Sequence, residues 1–265
     1  MPNPVLNDKS FREASRAGWA APDGATQYNP GINDGPGSTR GQMTMSGTVT
    51  ATGALFAILL ATAFFGWNAV KVTEGVRTGF PGWILLAILG GFALTMLLRF
   101  KPTLAPVLAP VYAGVEGVIV GSISHVYDIA YKGVVVQAIG ATLGVFAIML
   151  FLYKTRIIKV TDRMRRVVGA ATMGLMLFYL ASIVLNLFHV QVPFIQSASP
   201  IGILFSVFAA GLAAWHLALD FDNVERYVAA GSPKYMEWYA GFGLMVTVVW
   251  LYLELLRLFS KLQRR

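Results

Sequence analysis

Long apolar runs dominate the sequence, and each is close to the length of a helix that crosses a lipid bilayer. A hydrocarbon core about 30 Å thick needs a helix of about 20 residues. Short polar joints separate seven such runs, whose approximate bounds are 49–70, 80–98, 103–125, 133–153, 167–189, 200–219 and 240–259. They predict an all-α integral membrane protein with seven transmembrane helices. Six spans and one half-buried helix is the alternative, because acids weaken the hydropathy of the third and sixth runs.

Composition and charge support a membrane environment. Of the 265 residues, 56% are hydrophobic and only 13% are charged, too few charges to cover a soluble domain. The net charge of +8 comes from basic residues at the ends of the apolar runs, where they meet lipid phosphates. The expected partner is therefore the lipid bilayer and not nucleic acid. The absence of cysteine excludes disulfides and thiolate metal sites.

The chain divides into two predicted parts. Residues 1–45 are polar and rich in Asn, Gly, Pro and Asp, and they cannot bury enough apolar surface to offset the entropy of ordering. We predict a mobile N-terminal tail there and a seven-helix transmembrane domain over residues 46–265.

Basic residues also predict the orientation. The tail and the second, fourth and sixth joints hold fourteen of the 21 Lys and Arg residues, six of them between Lys154 and Arg166. Because basic residues concentrate in cytoplasmic loops, the amino terminus is predicted to be cytoplasmic. The carboxyl terminus would then lie across the membrane, unless the seventh run is re-entrant.

Ionisable residues inside the apolar runs are the main functional candidates, since each costs at least about 2.5 kcal/mol to insert. The candidates are Glu116 in the third run, His216 and Asp220 in the sixth, and Glu254 in the seventh. Arg99 and Arg257 lie near the run ends as candidate counter-charges.

Helical spacing groups the sixth-run candidates. His216, Asp220 and Asn223 follow one another at four and three residues, so they form one polar stripe. Asp222 lies on the other side of the helix, where we expect it to meet water or headgroups. The three histidines have no chelating spacing, so His216 is expected to be an interface histidine and not a metal ligand.

Two interpretations of Glu254 remain open at this point. Glu254 and Arg257 can form a pair three residues apart that only lowers the insertion cost. Alternatively, Glu254 and Asp220 face each other, cannot both ionise cheaply, and act as a proton sensor or a transient calcium site. Two interpretations of Glu116 are also open: it bonds to Tyr112 or a neighbouring helix, or it lines a cation path.

Small residues at intervals of four predict close helix packing. They are Ala113, Gly117 and Gly121 in the third run, and Gly140 and Gly144 in the fourth. Enzyme signatures such as HExxH, GxSxG and a phosphate-binding loop do not occur, so we expect neither catalysis nor an organic cofactor.

Two motifs resemble the Bax-inhibitor (transmembrane Bax inhibitor motif) family in its bacterial YccA-like branch. The sixth run ends in Leu-Asp-Phe-Asp-Asn-Val, with the first Asp at 220. The seventh contains Leu-Tyr-Leu-Glu-Leu-Leu-Arg-Leu-Phe over 251–259, similar to the family's Leu-Tyr-Leu-Asp-Phe-Ile-Asn-Leu-Phe. The resemblance covers about residue 45 to the end.

The resemblance implies a central seventh helix surrounded by the other six, in a bacterial inner membrane. It places Asp220 and Glu254 at the family's two buried aspartates, which share protons and control a pH-sensitive calcium leak. It makes Arg99 the latch that pairs with the sixth-helix acid. Two departures are the Glu at 254 and the long interval of 34 positions between the acids, which predicts an interfacial helix over 229–240.

The leading functional prediction is a pH-gated calcium leak channel with protons and calcium as its ligands. The alternative is a membrane interaction protein that modulates a quality-control protease or another membrane partner. Its docking surfaces would be the tail and the basic joint 154–166. A proton-coupled transporter is a third hypothesis.

Overall fold

Seven α-helices make up nearly all of the part of the chain that the structure, a computed structural model, describes: residues 41–69, 82–188 and 197–264. In chain order they are α1 Met45–Ala69, α2 Gly82–Phe100, α3 Ala105–Ala130, α4 Val134–Lys154, α5 Asp162–Leu187, α6 Pro200–Ala229 and α7 Met236–Gln263. The all-helical class is confirmed. The predicted tail lies almost entirely outside the described residues, so its mobility stays a prediction.

Six of these helices, α1 and α3 to α7, are long and apolar enough to cross a membrane, while the described apolar part of α2 is the shorter Leu86–Phe100. Large apolar side chains point outward from the bundle. Phe64, Phe65, Phe92 and Phe151 are 62–68% exposed. Because a surface so rich in exposed apolar side chains is favourable in lipid and not in water, the chain is a multi-pass integral membrane protein.

Cross-helix contacts give the direction of each helix. On α3 and α7, Tyr112 stacks on Phe242 and the Ser124 hydroxyl lies 2.6 Å from that of Tyr252, so these helices run parallel. On α6 and α7, Asp220 contacts Thr247 whereas Ser206 contacts Lys261, so these two run antiparallel. This alternation is the one expected when successive helices cross the membrane in opposite directions.

Helix α7 is the most buried of the six membrane-spanning helices, with 61% of its most apolar stretch buried inside the protein. Its side chains reach α1, α3, α5 and α6 through described hydrogen bonds. Leu251 and Leu256 are almost completely buried in the main core. The polar groups of this helix are therefore held inside the protein.

Local sequence signals explain where several helices begin. Thr161 and Ser199 precede α5 and α6, and their hydroxyl oxygens accept the backbone N–H groups of Met164 and Gly202 at 3.2 Å. Such caps satisfy one of the unpaired donors at a helix start. Gly133, before α4, has a φ of 82°, a left-handed conformation that glycine adopts without strain.

The connection between α6 and α7 differs from the expectation of an interfacial helix over 229–240. The residues between the two acids instead lengthen both transmembrane helices, since α6 continues to Ala229 and α7 begins at Met236. The turn between them pairs with the chain before α1: the Met43 N–H donates to the Ser232 carbonyl at 2.7 Å, and Lys234 N–H to that of Gly41 at 2.9 Å. These two bonds hold the α6–α7 turn against the chain before α1.

Small residues bring α1 and α3 into backbone contact. A Cβ on Gly117 would overlap the Leu59 carbonyl, and one on Gly121 would overlap that of Ala63. The Ser122 hydroxyl also donates to the Gly66 carbonyl at 3.0 Å. The close helix packing predicted from the small residues of the third run is confirmed.

The close helix packing predicted at Gly140 and Gly144 of the fourth run is wrong. A Cβ on Gly140 or Gly144 would meet no atom within 4 Å. Helix α4 packs through a different face, which carries Val134, Ala138 and Met149. Spacing alone could not distinguish these two faces.

We expect Gly121→Ala to destabilise the protein by about 1–3 kcal/mol, because the added methyl group collides with main-chain atoms that cannot move aside. Gly114→Ala, on the same helix, is the matched control. A Cβ there meets only the Thr62 methyl at 3.9 Å, and the change should be neutral or stabilising by up to about 1 kcal/mol. Thermal unfolding in detergent measures both, and equal effects would contradict the close approach.

Candidate functional site

The α6–α7 contact carries a row of polar and ionisable side chains through the apolar bundle. We call this row the polar seam and define it by Asp220, His216, Glu254 and Lys261, with their partners. Each of these four side chains packs between the two helices or beside them. Such groups are costly in an apolar bundle unless each finds a partner.

Glu254 has the most complete set of partners. Its side chain is 2% exposed, and one carboxylate oxygen lies 3.0 Å from the Arg257 guanidinium. Tyr179 and Trp250 donate to the other oxygen at 2.9 and 3.3 Å. Arg257 also donates to the Tyr179 hydroxyl at 2.7 Å. Of the two interpretations of Glu254, the ion pair with Arg257, three residues along the same helix, is therefore formed.

Asp220 lies elsewhere along the seam. Its Oδ2 accepts a hydrogen bond from the Thr247 hydroxyl at 2.6 Å. Thr247 precedes Glu254 by seven residues of helix, which is about 10 Å along the axis. The antiparallel register set by Asp220 with Thr247 and by Ser206 with Lys261 brings Ala213 level with Glu254. This arrangement differs from the predicted facing acid pair, since the two acids lie about two helical turns apart along the seam.

His216 connects the two acids along the seam. Its Nε2 lies 2.6 Å from the Thr172 hydroxyl of α5, and its ring packs edge-on against Trp250 at 5.6 Å. Trp250 in turn donates to Glu254. His216 is thus placed at a helix interface, as expected. Among the described residues, no group of three or more His, Asp or Glu side chains could hold a metal ion.

Arg99 does not occupy the predicted latch position. It is exposed at the end of α2, and the partners of both seam acids in the described chain are other residues. Arg257, one turn from Glu254 on the same helix, supplies the counter-charge instead. The expectation for Arg99 came from the family resemblance alone.

Glu116 is half-buried on α3, one turn after Tyr112. Tyr112 packs on Phe242 and Ser124 contacts Tyr252, so Glu116 lies close to the level of Thr247, the partner of Asp220. Both interpretations of Glu116, a bond inside the protein or a place beside a cation path, stay predictions.

The sequence predicted that Asp222 meets water or lipid headgroups, but the structure places it in ion pairs. Its side chain is only 13% exposed and accepts from Arg226 at 2.7 Å and from Arg165. Arg165 also donates to Asn223 at 2.7 Å. A second contact in this region joins Glu225 to Arg156 at 3.0 Å and to Tyr153. These ion pairs fix the end of α6 to α4 and α5, so Asp222 acts as an anchor.

Sequence reasoning missed two buried charges. Glu237, 5% exposed in the first turn of α7, accepts from the Thr44 N–H and hydroxyl, both at 2.9 Å. Gly47 makes room for this carboxylate, since a Cβ there would overlap it. The carboxylate lies at the start of α1, where the helix dipole favours an anion. It holds the chain before α1 against the start of α7.

Lys261 is the second missed charge. Its side chain is 2% exposed, and its ammonium donates to the Gly202 carbonyl at 2.9 Å and the Ser206 hydroxyl at 2.8 Å. The sequence places Lys261 on one face of α7 with Thr247, Glu254 and Arg257, but it did not predict that this lysine is buried.

A family model described as Bax inhibitor 1 like matches residues 3–264, nearly the whole chain. The chain belongs to this family. A comparison with curated proteins gives no match. Membership in the Bax inhibitor 1 like family agrees with the helical membrane fold and with the resemblance that the seventh-helix motif carries.

We expect the Glu254–Arg257 pair to be energetically coupled. Glu254→Gln and Arg257→Met should each destabilise the protein by about 1–3 kcal/mol, because each leaves a poorly solvated charge without its partner. The double variant should lose less than the sum, with a coupling of about 0.5–3 kcal/mol in a double-mutant cycle.

The matched control is the Arg156–Glu225 pair, whose side chains are 64% and 41% exposed. Its coupling should be no more than about 1 kcal/mol, as is usual for exposed pairs. Unfolding titrations of both sets in detergent supply the measurements. A Glu254–Arg257 coupling no larger than that of the control would show that the buried pair is energetically unimportant.

Proposed function

We propose that this protein is a pH-sensitive cation leak of the membrane, with calcium as the permeant ion and the polar seam as its path. The observation that carries the proposal is the seam itself. Ionisable groups occur there from Asp220 to Lys261 between two apolar helices. Ionisable residues inside a membrane protein generally mark ion or proton pathways.

Family membership and the position of α7 support this proposal. The family resemblance carries the expectation of a calcium leak and, in its YccA-like branch, of a bacterial inner membrane. We also propose that α7 is the central helix of the bundle. Its high buried fraction supports this, as do its contacts with α1, α3, α5 and α6.

In the proposed mechanism the two acids have different roles. Asp220 is the cation-binding group, because the described hydrogen bond engages only its Oδ2 and leaves Oδ1 for an ion. Glu254 is the restraint. Its oxygens are engaged by Arg257, Tyr179 and Trp250, which holds α7 to α5 and closes the seam.

The direction of the pH effect follows from the charge on Asp220. An ionised carboxylate attracts a divalent cation, and a protonated one does not. Calcium flux should therefore rise as the pH increases and Asp220 loses its proton. The ionised form shifts the population towards the conducting state only by as much as it binds the cation better.

We expect Asp220→Asn to reduce calcium flux by about tenfold at pH 8, which corresponds to about 1.4 kcal/mol of cation attraction. It should also flatten the rise in flux between pH 6 and pH 8. Liposomes containing a calcium-sensitive dye measure both effects. Asp128→Asn removes the same charge from a side chain that bonds Gly133 N–H at the end of α3, and is the control. A pH-independent flux, equal in all three proteins, would rule out the proposed function.

The basic joint after α4 favours the alternative, a membrane interaction protein that modulates a protease or another membrane partner. Lys154, Lys159, Arg163 and Arg166 are exposed there. We place this joint and the amino terminus on the cytoplasmic side, on the basis of the excess of Lys and Arg.

Removing residues 1–40 separates the two functions. The deletion keeps the contacts of residues 41–44 with the α6–α7 turn and with Glu237, so the bundle should remain folded. A leak should conduct undiminished calcium flux in liposomes, whereas a docking protein should lose its partner in a crosslinking experiment. Loss of flux with an unchanged unfolding temperature would assign the tail to conduction and contradict this expectation.

A further inference from the structure

A groove of about 510 Å³ runs along the outer side of α2, where this helix packs on α3. Its apolar walls include Leu86, Gly90, Leu94 and Leu97 of α2 and Val115 and Val118 of α3. We call it the α2–α3 groove. Leu86 and Leu97 are 70% and 40% exposed, so the groove opens to the surroundings of the bundle. Because the exposed apolar surface of this protein faces lipid, hydrocarbon chains are what reaches the groove.

The length of the α2–α3 groove matches one leaflet of a bilayer. Leu86 and Leu97 are eleven residues apart on α2, about 16 Å along its axis. Half of a hydrocarbon core that is about 30 Å thick is about 15 Å. A groove of this length therefore accommodates one acyl chain that extends from the headgroup level to the middle of the membrane.

Gly90 leaves space in the middle of the groove. It is exposed, and a Cβ added there would meet no atom within 4 Å. Dispersion attraction requires partner atoms at about 3.5–4.0 Å. A hydrocarbon chain that lies in this concave apolar wall has such partners on two helices, whereas a chain against a convex helix surface has them on one side only. The shape of the groove therefore favours a bound chain over the bulk lipid.

A cation lies at one end of the groove. The Lys101 N–H donates to the Leu97 carbonyl at 2.8 Å, so Lys101 continues the last turn of α2. It follows Gly90 by eleven residues, about three turns, and so lies on the groove side of the helix. Lys101 is exposed, and the ion pairs of the described chain do not include it. Its ammonium is placed to meet a lipid phosphate above the groove.

Arg99 provides the comparison that separates this position from a general excess of basic charge. It follows Gly90 by nine residues, about two and a half turns, so it lies on the opposite side of α2. Arg99 is also exposed at the same helix end. A headgroup above the groove therefore contacts Lys101 and not Arg99.

From this geometry we infer that the α2–α3 groove binds one anionic phospholipid, with an acyl chain along Gly90 and the phosphate at Lys101. The chain supplies dispersion contacts, and the ammonium supplies charge complementarity. The orientation proposed from the basic residues puts Lys101 in the cytoplasmic leaflet, whose surface is negatively charged. This site is separate from the polar seam, because its walls are on α2 and α3 whereas the seam acids are on α6 and α7.

Native mass spectrometry of the delipidated full chain, titrated with phosphatidylglycerol or phosphatidylcholine, tests the inference. The wild-type protein should retain one phosphatidylglycerol and bind it more tightly than phosphatidylcholine. Gly90→Leu should abolish this retention, because the new side chain occupies the groove. Its unfolding temperature in detergent should not fall, since the leucine enters open space.

Gly53→Leu is the matched control for the groove. Gly53 is an exposed glycine of α1, and a Cβ there also meets no atom within 4 Å. This variant should retain phosphatidylglycerol as the wild type does. Equal retention by the wild type, Gly90→Leu and Gly53→Leu would overturn the inference.

A second pair of variants tests the phosphate position. Lys101→Gln should weaken phosphatidylglycerol binding by about fivefold, the effect of one basic side chain at an anionic surface. Arg99→Gln removes the same charge from the opposite side of α2 and should leave binding unchanged. Equal losses in the two variants would show that only net charge matters and would overturn the placement of the phosphate at Lys101.

A second copy of the chain is the other occupant that these spectra detect. A dimer that Gly90→Leu converts to a monomer, with phosphatidylglycerol binding unchanged, would assign the groove to self-association and overturn the lipid site. A monomeric wild-type protein that carries one phosphatidylglycerol supports it.

Discussion

The ion pair between Glu254 and Arg257 is the interaction on which the arrangement of the bundle most depends. A carboxylate that is 2% exposed in an apolar interior is tolerated only because Arg257, Tyr179 and Trp250 all bond to it. Two of these partners are on α7 and one is on α5. The same contacts that neutralise the charge therefore also fix the orientation of α7 and bring α5 against it.

The remaining polar groups of the seam follow the same requirement. Asp220 bonds Thr247, His216 bonds Thr172, and Lys261 bonds the first turns of α6. Each pairing is specific, because an unpaired polar group in a lipid-surrounded bundle would cost several kcal/mol. Close packing of α1 on α3 through glycine supplies the rest of the framework by dispersion contacts. The polar seam and the glycine contacts together define one register for the helices in contact with α7.

The ion pairs at the end of α6 and the polar seam lie at successive levels of the protein. At one end Asp222 and Glu225 join α6 to the basic joint after α4. The acids of the seam follow within the bundle, and Lys261 lies at the seam's other end, bonded to Gly202 and Ser206. This order separates fixed structural charges from Asp220, which has one oxygen without a described partner. It is the physical basis for the proposal that Asp220 binds the cation and that Glu254 restrains α7.

The sequence by itself determined the helical membrane class, the approximate helix positions and the residues whose charges needed explanation. Apolar runs of fixed length and intramembrane acids are local properties, so they can be recognised without tertiary contacts. Only the tertiary structure decided which charges meet. The offset of about 10 Å along the helix axis between Asp220 and Glu254 depends on register, as do the exposure of Arg99 and the burial of Glu237 and Lys261. Register arises from packing between helices distant in sequence, and residue spacing within one helix contains no information about it.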